Sequence, residues 1–246
     1  MMFATLVTKK LRSNTSARCS TCSLRELCLP LGLDEKAVIA LDHLISQRHK
    51  IRHDEHLQHD GLPFHSLHVV RAGFFKTYIL HEDGREQVTG FYMPGEVLGL
   101  DAISADTHTC SAVALEDSEV CELPFTQLER VGRTIPPLMH HFHKIMSFEI
   151  VRDRGMLLGS MKAGERLVAF LLNLSRRFAR RGYSPLEFNL RMTREEIGSY
   201  LGLKLETISR AFSKLQADGL ISVNNRKICL NDIEHLRRLY GNSSYK

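Results

Sequence analysis

The chain has 246 residues, of which 43% are hydrophobic and 25% charged, with no tryptophan and a formal net charge of +5 at pH 7. This length allows two domains or one large one, and the composition is that of a globular protein. The longest apolar run, about VAFLL, is too short to cross a membrane, and the apolar start is too short and too soon followed by basic residues for a signal peptide. We therefore expect a cytoplasmic protein with no membrane segment.

Three cysteines, Cys19, Cys22 and Cys28, lie within ten residues on a stretch without glycine. Disulfides are unusual in the cytoplasm, so clustered cysteines there indicate a metal, an iron–sulfur cluster or redox chemistry. An iron–sulfur cubane needs four cysteines, one of which is often remote, whereas a structural zinc site typically shows two close Cys-x2-Cys pairs. The single pair here favours a cluster, with zinc and free redox-active thiols as alternatives.

Short apolar runs separated by turn residues fill residues 67–125. They are rich in Val, Phe, Tyr and Thr, and the stretches HEDG and MPGE supply turns. This pattern predicts a β-sandwich or β-roll. We expect short helices on either side of it, at residues 34–49 and 126–133.

A long helix is predicted at residues 136–162, starting at two prolines, where the missing N–H groups cost nothing. One set of positions along it advances by alternating steps of four and three residues, which is the narrow seam of a two-stranded coiled coil. We interpret the set as a dimer seam, with packing of the helix on its own domain as the alternative. Its members are Met139, His143, Met146, Ile150, Asp153, Leu157 and Ser160.

Asp153 places a carboxylate in that seam, between Ile150 and Leu157. In a parallel pair of helices it would approach its twin, and two like carboxylates removed from bulk water repel each other. At an effective dielectric constant of ~20 the repulsion costs on the order of 2–4 kcal/mol. We hypothesise that Asp153 makes dimerisation conditional on a bound cofactor; the alternative is that it turns outward into solvent.

The C-terminal third predicts a winged helix-turn-helix, with three helical segments followed by two short β-like runs around Asn224-Asn225. Thr193 and Glu196 form a capping box that starts the second of these helices, and Gly202 ends it. The third helix has an apolar face that we expect to be buried, formed by Leu205, Ile208, Phe212 and Leu215.

Polar side chains occupy the other face of the third helix, near its N-terminus. Arg210 can donate two hydrogen bonds to guanine, Glu206 can accept one from cytosine, and Ser209 suits either kind of base pair. Such a helix places its first turns in the major groove of DNA. The residues expected to contact DNA are Thr193, Lys204, Glu206, Ser209, Arg210 and Ser213.

The charge distribution agrees with a polyanionic partner for this third of the chain. Residues 163–246 contain 15 Lys and Arg against 8 Asp and Glu, a net charge of +7, whereas the remaining 162 residues contain 18 and 20, a net charge of −2. Charge alone leaves a solvated basic face as an equal alternative.

The chain resembles the CRP/FNR family of transcription regulators from about residue 19 to residue 233, in ETISR, YLGL, the glycines of the predicted roll and the N-terminal cysteines. Within the family it looks closest to FNR, the oxygen-responsive regulator of the anaerobic switch. The stretches GFYMPGEVLGLDAI, LNLSRRFARRGYSP and MTREEIGSYLGLKLETISR carry this match, and Leu205 and Ser209 look like the FNR branch, which recognises TTGAT-type half-sites in an inverted repeat.

The resemblance implies an α+β protein in four parts. These are a cysteine-rich segment at residues 1–30, a jelly-roll-like β-roll sensor domain at 31–135, a dimerisation helix at 136–162, and a winged helix-turn-helix DNA-binding domain at 163–246. It also implies three partners, namely double-stranded DNA, a second copy of the chain and RNA polymerase. No nucleophile–base pair, paired acids or phosphate loop is present, so we do not expect an enzyme.

The resemblance further implies an oxygen-labile 4Fe–4S cluster, which supports the dimer when intact. Of the three candidates for its fourth ligand, Cys121 matches the family in EVCELPF and ends the roll just before the helices that lead to the seam. Cys110 lies in the former ligand pocket of the roll, and Cys229 suits a small core position in the wing. His140, His141 and His143 are expected on the helix surface. The remaining alternative is a haem-based gas sensor of the same family.

A cyclic-nucleotide sensor is the other function that this family offers. It would need a glutamate for the ribose and an Arg-Ser or Arg-Thr pair for the phosphate, at fixed distances after PGE. The chain has Leu100 and Cys110-Ser111 at those positions. Without the arginine a cyclic phosphate loses its charge-assisted partner, so we interpret PGE as a turn without a ligand.

Overall fold

The computed structural model describes residues 18–45, 47–156 and 161–239, without the side chains of residues 152–156. The helices are α1 (Glu35–Leu44), α2 (Phe125–Thr134), α3 (Pro136–Met156), α4 (Ala163–Arg180), α5 (Arg194–Leu201), α6 (Leu205–Ala217) and α7 (Ile233–Leu239). The strands are β1 (Gln47–Ile51), β2 (His56–Gln58), β3 (Ser66–Ala72), β4 (Phe75–Leu80), β5 (Glu86–Tyr92), β6 (Val97–Leu98), β7 (Ser111–Ala114), β8 (Ser118–Pro124), β9 (Glu187–Asn189), β10 (Ile221–Asn224) and β11 (Lys227–Leu230).

Two four-stranded antiparallel sheets, in the orders β1-β8-β3-β6 and β2-β7-β4-β5, form the predicted β-roll. Strand alternation sends one face of each sheet into the roll and the other outward. On β8, Val120 therefore packs inside the roll, while its neighbour Cys121 packs with the outer helices. The inner core consists of Ile51, Val70, Phe75, Leu98, Ala112, Ala114 and Val120.

Helices cover the outer face of the first sheet. Leu29 and Leu33 of the N-terminal segment are buried there with residues of α1 and α2, and with Leu138 and Phe142 at the start of α3. The turn after β5 approaches this segment closely. Gly95 has a φ of +91°, and a Cβ atom there would lie 3.0 Å from the carbonyl oxygen of Leu27. Only glycine combines that backbone conformation with that contact.

Two predicted helix boundaries were wrong. The helix expected at residues 34–49 ends at Leu44, because Gln47–Ile51 pairs with β8 as an edge strand of the roll. The helix expected to run to residue 162 ends earlier, because Lys162 has an extended backbone and is the N-cap of α4. The helix predicted at residues 126–133 is confirmed as α2.

The C-terminal domain is the predicted winged helix-turn-helix, with two additions. The sequence patterns missed β9, which pairs with β11 and widens the wing hairpin to three strands, and they missed α7. The wing turn is as expected, since Asn225 has a positive φ of 54°.

This domain shares one hydrophobic core with the roll, because Phe91 of β5 contacts Phe170 of α4 and Tyr200 of α5 at ring-centroid distances of 5.9 and 5.2 Å. The backbone N–H of Val88 donates to Ser199 Oγ at 2.8 Å, and that hydroxyl donates to the Glu86 carbonyl at 2.9 Å. The edge of β5 is therefore covered by α5.

Glu96, the acidic residue of the PGE turn, forms the centre of the same interface. It accepts hydrogen bonds from Arg177 Nε at 2.9 Å and from Arg181 Nη2 at 2.7 Å. The two guanidinium groups also donate to the carbonyls of Phe91 and Pro94, each at 2.6 Å. This turn therefore connects the roll to the DNA-binding domain.

Among the described residues, every helix is too short or too polar to span a membrane.

Candidate functional site

The four cysteines singled out in the sequence line one pocket at the outer face of the first sheet. Cys19, Cys22 and Cys28 come from the N-terminal segment and Cys121 from β8, which lies between β1 and β3. The pocket encloses about 420 Å³, part of it open to solvent. The other residues that line it are Arg18, Leu24, Leu29, Ile45, Arg48, Val69, Val70 and Arg71.

Tight turns bring the three N-terminal cysteines to the pocket. The N–H of Cys22 donates to the Cys19 carbonyl at 3.1 Å, and a 3₁₀ turn at Arg25–Leu27 leads back to Cys28. Ser20 fixes the segment to α1, because its N–H and its hydroxyl both donate to the carboxylate of Asp42. Hydrogen bonds within the segment and to α1 thus hold the loop that carries the three cysteines in place.

Burial favours the protonated thiol at Cys19, Cys28 and Cys121. It is the main cause that raises the pKa of Cys19, with further contributions from the thiols of Cys28 and Cys121. Burial also raises the pKa of Cys28 to about 12 and raises that of Cys121, where the guanidinium of Arg48 opposes the effect. At neutral pH these three cysteines are therefore thiols, and a metal that binds them as thiolates releases protons.

Cys110 and Cys229 lie away from this pocket. Cys110 is buried in the roll, and Asp101 and Thr89 are hydrogen-bonded to its thiol. Cys229 is half-buried on β11, with its sulfur 3.5 Å from Glu187 Oε2. The expectation that Cys229 fills the core was wrong, because strand alternation gives the core positions to Ile228 and Leu230.

The side chain of Asp101 places a carboxylate beside Cys110 in the roll. Asp101 accepts a hydrogen bond from the Thr109 N–H at 2.8 Å. Burial acts to raise the pKa of Asp101, but hydrogen bonds from His108 and Thr109 outweigh it and hold the pKa below its usual value. A carboxylate therefore lies beside Cys110, where a cyclic phosphate would need a cation, which agrees with the absence of the expected arginine from the sequence.

The seam positions of α3 are only partly covered by the chain itself. Met139 packs on Gly132 of α2 and is partly buried, as is Met146, whereas His143 and Ile150 are exposed. Ile150 is 54% exposed, and its neighbours Phe148 and Val151 are 60% and 40% exposed.

Three predicted seam positions lie wholly or partly outside the described residues. Asp153 belongs to α3, but its side chain lies outside them, as do the whole of Leu157 and Ser160. His140 is exposed as expected, while His141 is half-buried and its imidazole hydrogen-bonds to the backbone of Cys28. The start of α3 thus contacts the cysteine-rich segment directly.

The DNA-reading element has the predicted geometry. Thr193 Oγ1 accepts from the Glu196 N–H at 3.1 Å while Glu196 accepts from the Thr193 N–H at 2.7 Å, which is the expected capping box. Gly202 ends α5 with a φ of +65°. Gly198 lets the turn pass closely, since a Cβ atom there would lie 2.7 Å from the carbonyl oxygen of Leu203.

The side chains predicted to contact DNA all lie on the solvent side of this element. Arg210 and Glu206 are exposed on α6, and Arg210 Nε donates to the Glu206 carbonyl at 3.4 Å. Ser209 is half-buried, while the remaining members Thr193, Lys204 and Ser213 are exposed.

Leu205 was wrongly placed in the core. It is 45% exposed, whereas Ile208, Phe212 and Leu215 are buried as expected. Leu205 is the first residue of α6, so no preceding turn of the helix covers it.

A β-roll sensor domain followed by a winged helix-turn-helix with an exposed polar recognition helix defines a DNA-binding transcription regulator. Two sequence profiles agree with this class. The cyclic nucleotide-binding domain matches residues 48–134, and the Crp-like helix-turn-helix domain matches residues 165–239.

The chain belongs to the CRP/FNR family of transcription regulators. It is 44% identical to the transcriptional regulatory protein btr of Bordetella pertussis, over 94% of this chain and 97% of that one. It is 42% identical to the fumarate and nitrate reduction regulatory protein of Escherichia coli, over 92% and 91%. The solved structure of FixK2 from Bradyrhizobium japonicum is 30% identical, with a TM-score of 0.73, over 80% of this chain and 98% of that one. The proteins of Bordetella pertussis and Escherichia coli are both named as regulatory proteins.

Proposed function

We propose that the chain is an oxygen-responsive regulator of the FNR type, in which Cys19, Cys22, Cys28 and Cys121 hold a 4Fe–4S cluster. The observation that carries the proposal is that Cys121, which is remote in sequence, lines the same pocket as the three clustered cysteines Cys19, Cys22 and Cys28. A relative in Pasteurella multocida, 43% identical over 96% of this chain, is named an anaerobic regulatory protein, which supports a response to oxygen.

The residues of the pocket fit such a cluster. Four cysteines are the ligand set of a 4Fe–4S cluster, each on its own iron. In the described parts of the chain, no three His, Cys, Asp or Glu side chains converge closely enough to hold a single metal ion. The buried Nε atoms of Arg48 and Arg71 have no hydrogen-bond partner, so the pocket still offers donors to an acceptor such as sulfur.

A bound cluster would supply oxygen-sensitive redox chemistry at this position. The protein couples the pocket to dimerisation through contacts of its own. Cys121 is three residues from the end of β8, and α2 and α3 follow directly. Leu29 shares a core with Leu138 and Phe142 of α3, so ordering of the cysteine-rich segment stabilises the helix that carries the seam.

A second copy of the chain would cover the exposed part of α3 and place two recognition helices on an inverted repeat of TTGAT-type half-sites. Any ligand that binds only the dimer-competent form shifts the population toward it by its differential affinity. RNA polymerase is the further partner that we expect from the family.

Visible spectra of anaerobically purified protein, before and after exposure to air, test the proposal. We expect a broad absorbance that air bleaches. Serine substitution of Cys19, Cys22, Cys28 or Cys121 should abolish it, because each removes one of four ligands. The matched controls Cys110→Ser and Cys229→Ser should keep it. A haem Soret band, or bleaching by Cys110→Ser and not by Cys121→Ser, would contradict the assignment.

A further inference from the structure

We propose that Arg48 and Arg71 form a cationic wall of the cysteine pocket, whose Nε–H groups bind the sulfur atoms of the cluster and raise its reduction potential. The inference rests on the proposed function, since it needs the cluster in the pocket. It concerns two residues that are remote in sequence from the N-terminal cysteines and that no cysteine motif contains.

Both arginines occupy strands that flank the strand of Cys121. Arg48 on β1 lies directly opposite Cys121 in the antiparallel register, and Val69 on β3 lies opposite it on the other side. Residues opposite each other in a ladder project to the same face, so Arg48 and Val69 project to the face of Cys121. Arg71 lies at the irregularity between Val70 and Ala72, where the register of β3 against β8 shifts. Both arginines line the pocket with the four cysteines.

The side chains of Arg48 and Arg71 differ in whether they form an ion pair within the described residues. Arg71 Nη1 donates to Glu119 Oε2 at 2.6 Å, and this ion pair neutralises most of its charge. Arg48 has no carboxylate partner within the described residues. In both, the Nε atom is buried without an acceptor. An unpaired buried donor destabilises a fold, so the described chain lacks a partner that a bound group would supply.

Both arginines line the pocket together with Cys121, and of the two only Arg71 is paired with a carboxylate, that of Glu119, among the described residues. The same cations would stabilise the additional negative charge when the cluster accepts one electron, a step that moves no proton. Net charge and hydrogen bonds to sulfur are two of the properties that set the potential of an iron–sulfur cluster. Because Glu119 offsets Arg71, we expect Arg48 to have the larger effect.

The test is the midpoint potential of the full-length, anaerobically reconstituted protein, titrated with dithionite in the presence of redox mediators and followed by electron paramagnetic resonance. Arg48→Leu should shift the oxidised-to-reduced ratio about tenfold toward the oxidised form at a fixed potential, which is a fall of about 59 mV for a one-electron couple. Arg71→Leu should give a smaller fall. The control Arg52→Leu, at an exposed arginine just after β1, should give none.

Arg48→Lys keeps the charge and most of the length of the side chain, but a methylene group replaces the Nε donor. This variant also keeps the test possible if Arg48→Leu does not fold. We expect a potential between those of the wild type and Arg48→Leu. An unchanged potential in Arg48→Lys would overturn the hydrogen bond, and an unchanged potential in Arg48→Leu with the cluster intact would overturn the whole inference. Absence of any cluster from the wild type would overturn this inference together with the proposed function.

Discussion

The roll contacts the rest of the chain at two polar sites, which differ in whether their buried polar groups have hydrogen-bond partners. At the DNA-binding domain, Glu96 receives hydrogen bonds from Arg177 and Arg181, whose remaining donors bind backbone carbonyls. At the cysteine pocket, buried nitrogen atoms of Arg48 and Arg71 have no partner. In the part of the chain that the structure describes, every buried side-chain polar atom without a partner belongs to the roll. The domain interface is satisfied within a single chain, whereas the cysteine pocket keeps donors that the proposed cluster would use.

This difference indicates which contacts of the protein are suited to change during regulation. A shared hydrophobic core and a buried ion pair fix the DNA-binding domain to the roll, so a swing of that domain is a costly route to regulation. Under the proposed function, the pocket gains a cluster and the exposed side of α3 gains a second copy of the chain. We therefore propose dimer assembly as the step that the sensor controls.

The largest expected effect breaks the complete interface. Glu96→Ala leaves two buried guanidinium groups without their carboxylate, and removal of one partner from a buried ion pair typically costs about 3–5 kcal/mol. We expect a loss of this size in the free energy of unfolding from urea titration. Glu187→Ala provides the control, because the Glu187–Lys227 pair is half-exposed and such pairs contribute about 0–1 kcal/mol. Equal losses in the two variants would show that the ion pairs of Glu96 do not stabilise the domain interface.

The second prediction concerns the exposed side of α3, which carries the predicted dimer seam. If Asp153 repels its twin across the seam, Asp153→Ala should stabilise the cluster-free dimer by about 2–4 kcal/mol and allow DNA binding in air. Sedimentation of the aerobic protein measures this directly. Glu129→Ala, at an exposed position of α2, should remain monomeric like the wild type. A monomeric Asp153→Ala protein at the same concentration would refute the hypothesis.

The third prediction tests the unpartnered polar atoms inside the roll. Burial lowers the pKa of His68 to about 4, from a usual value of 6.5. Between these values the unfolded chain binds a proton that the folded chain does not, so stability falls as the pH decreases through this window. Urea titrations should show a loss of about 2 kcal/mol between pH 6.5 and 5 from this group. His68→Gln should flatten that slope, and His140→Gln, at an exposed position, should leave it unchanged.

The smallest effect concerns base recognition. Arg210→Ala should cost about 1–3 kcal/mol of DNA-binding free energy and relax the preference at one base pair. A contact to phosphate would instead weaken binding to all sequences alike and flatten its salt dependence. Competition against single-base variants of the site separates these outcomes, and an equal loss on every variant would make Arg210 a backbone contact.

Local sequence patterns predicted most of the fold. The capping box of Thr193 and Glu196, the glycine turn and the alternating strands each depend on residues close in sequence, and the structure confirms them. The boundary between α1 and β1 was missed because β1 is defined by its pairing with β8, about 70 residues away. Leu205 was misplaced because apolar periodicity carries no information about where a helix begins.

The candidate site was predictable only in part. Spacing marked the three N-terminal cysteines, while the choice of Cys121 needed the family resemblance and its position at the end of the roll. No sequence motif indicated Arg48 or Arg71, because Arg48 reaches the pocket through its pairing with Cys121 and Arg71 lies at an irregularity of β3. The role of Glu96 was also hidden, since its arginine partners lie 81 and 85 residues further along the chain.

The central claim is that the four-cysteine pocket holds a 4Fe–4S cluster, and the most direct test is a metal analysis. Iron, acid-labile sulfide and zinc would be measured per chain in anaerobically purified wild type and Cys121→Ser protein. The account predicts about four irons and four sulfides per wild-type chain, little zinc, and a loss of both iron and sulfide in Cys121→Ser. One zinc per chain, or iron and sulfide retained without Cys121, would contradict it.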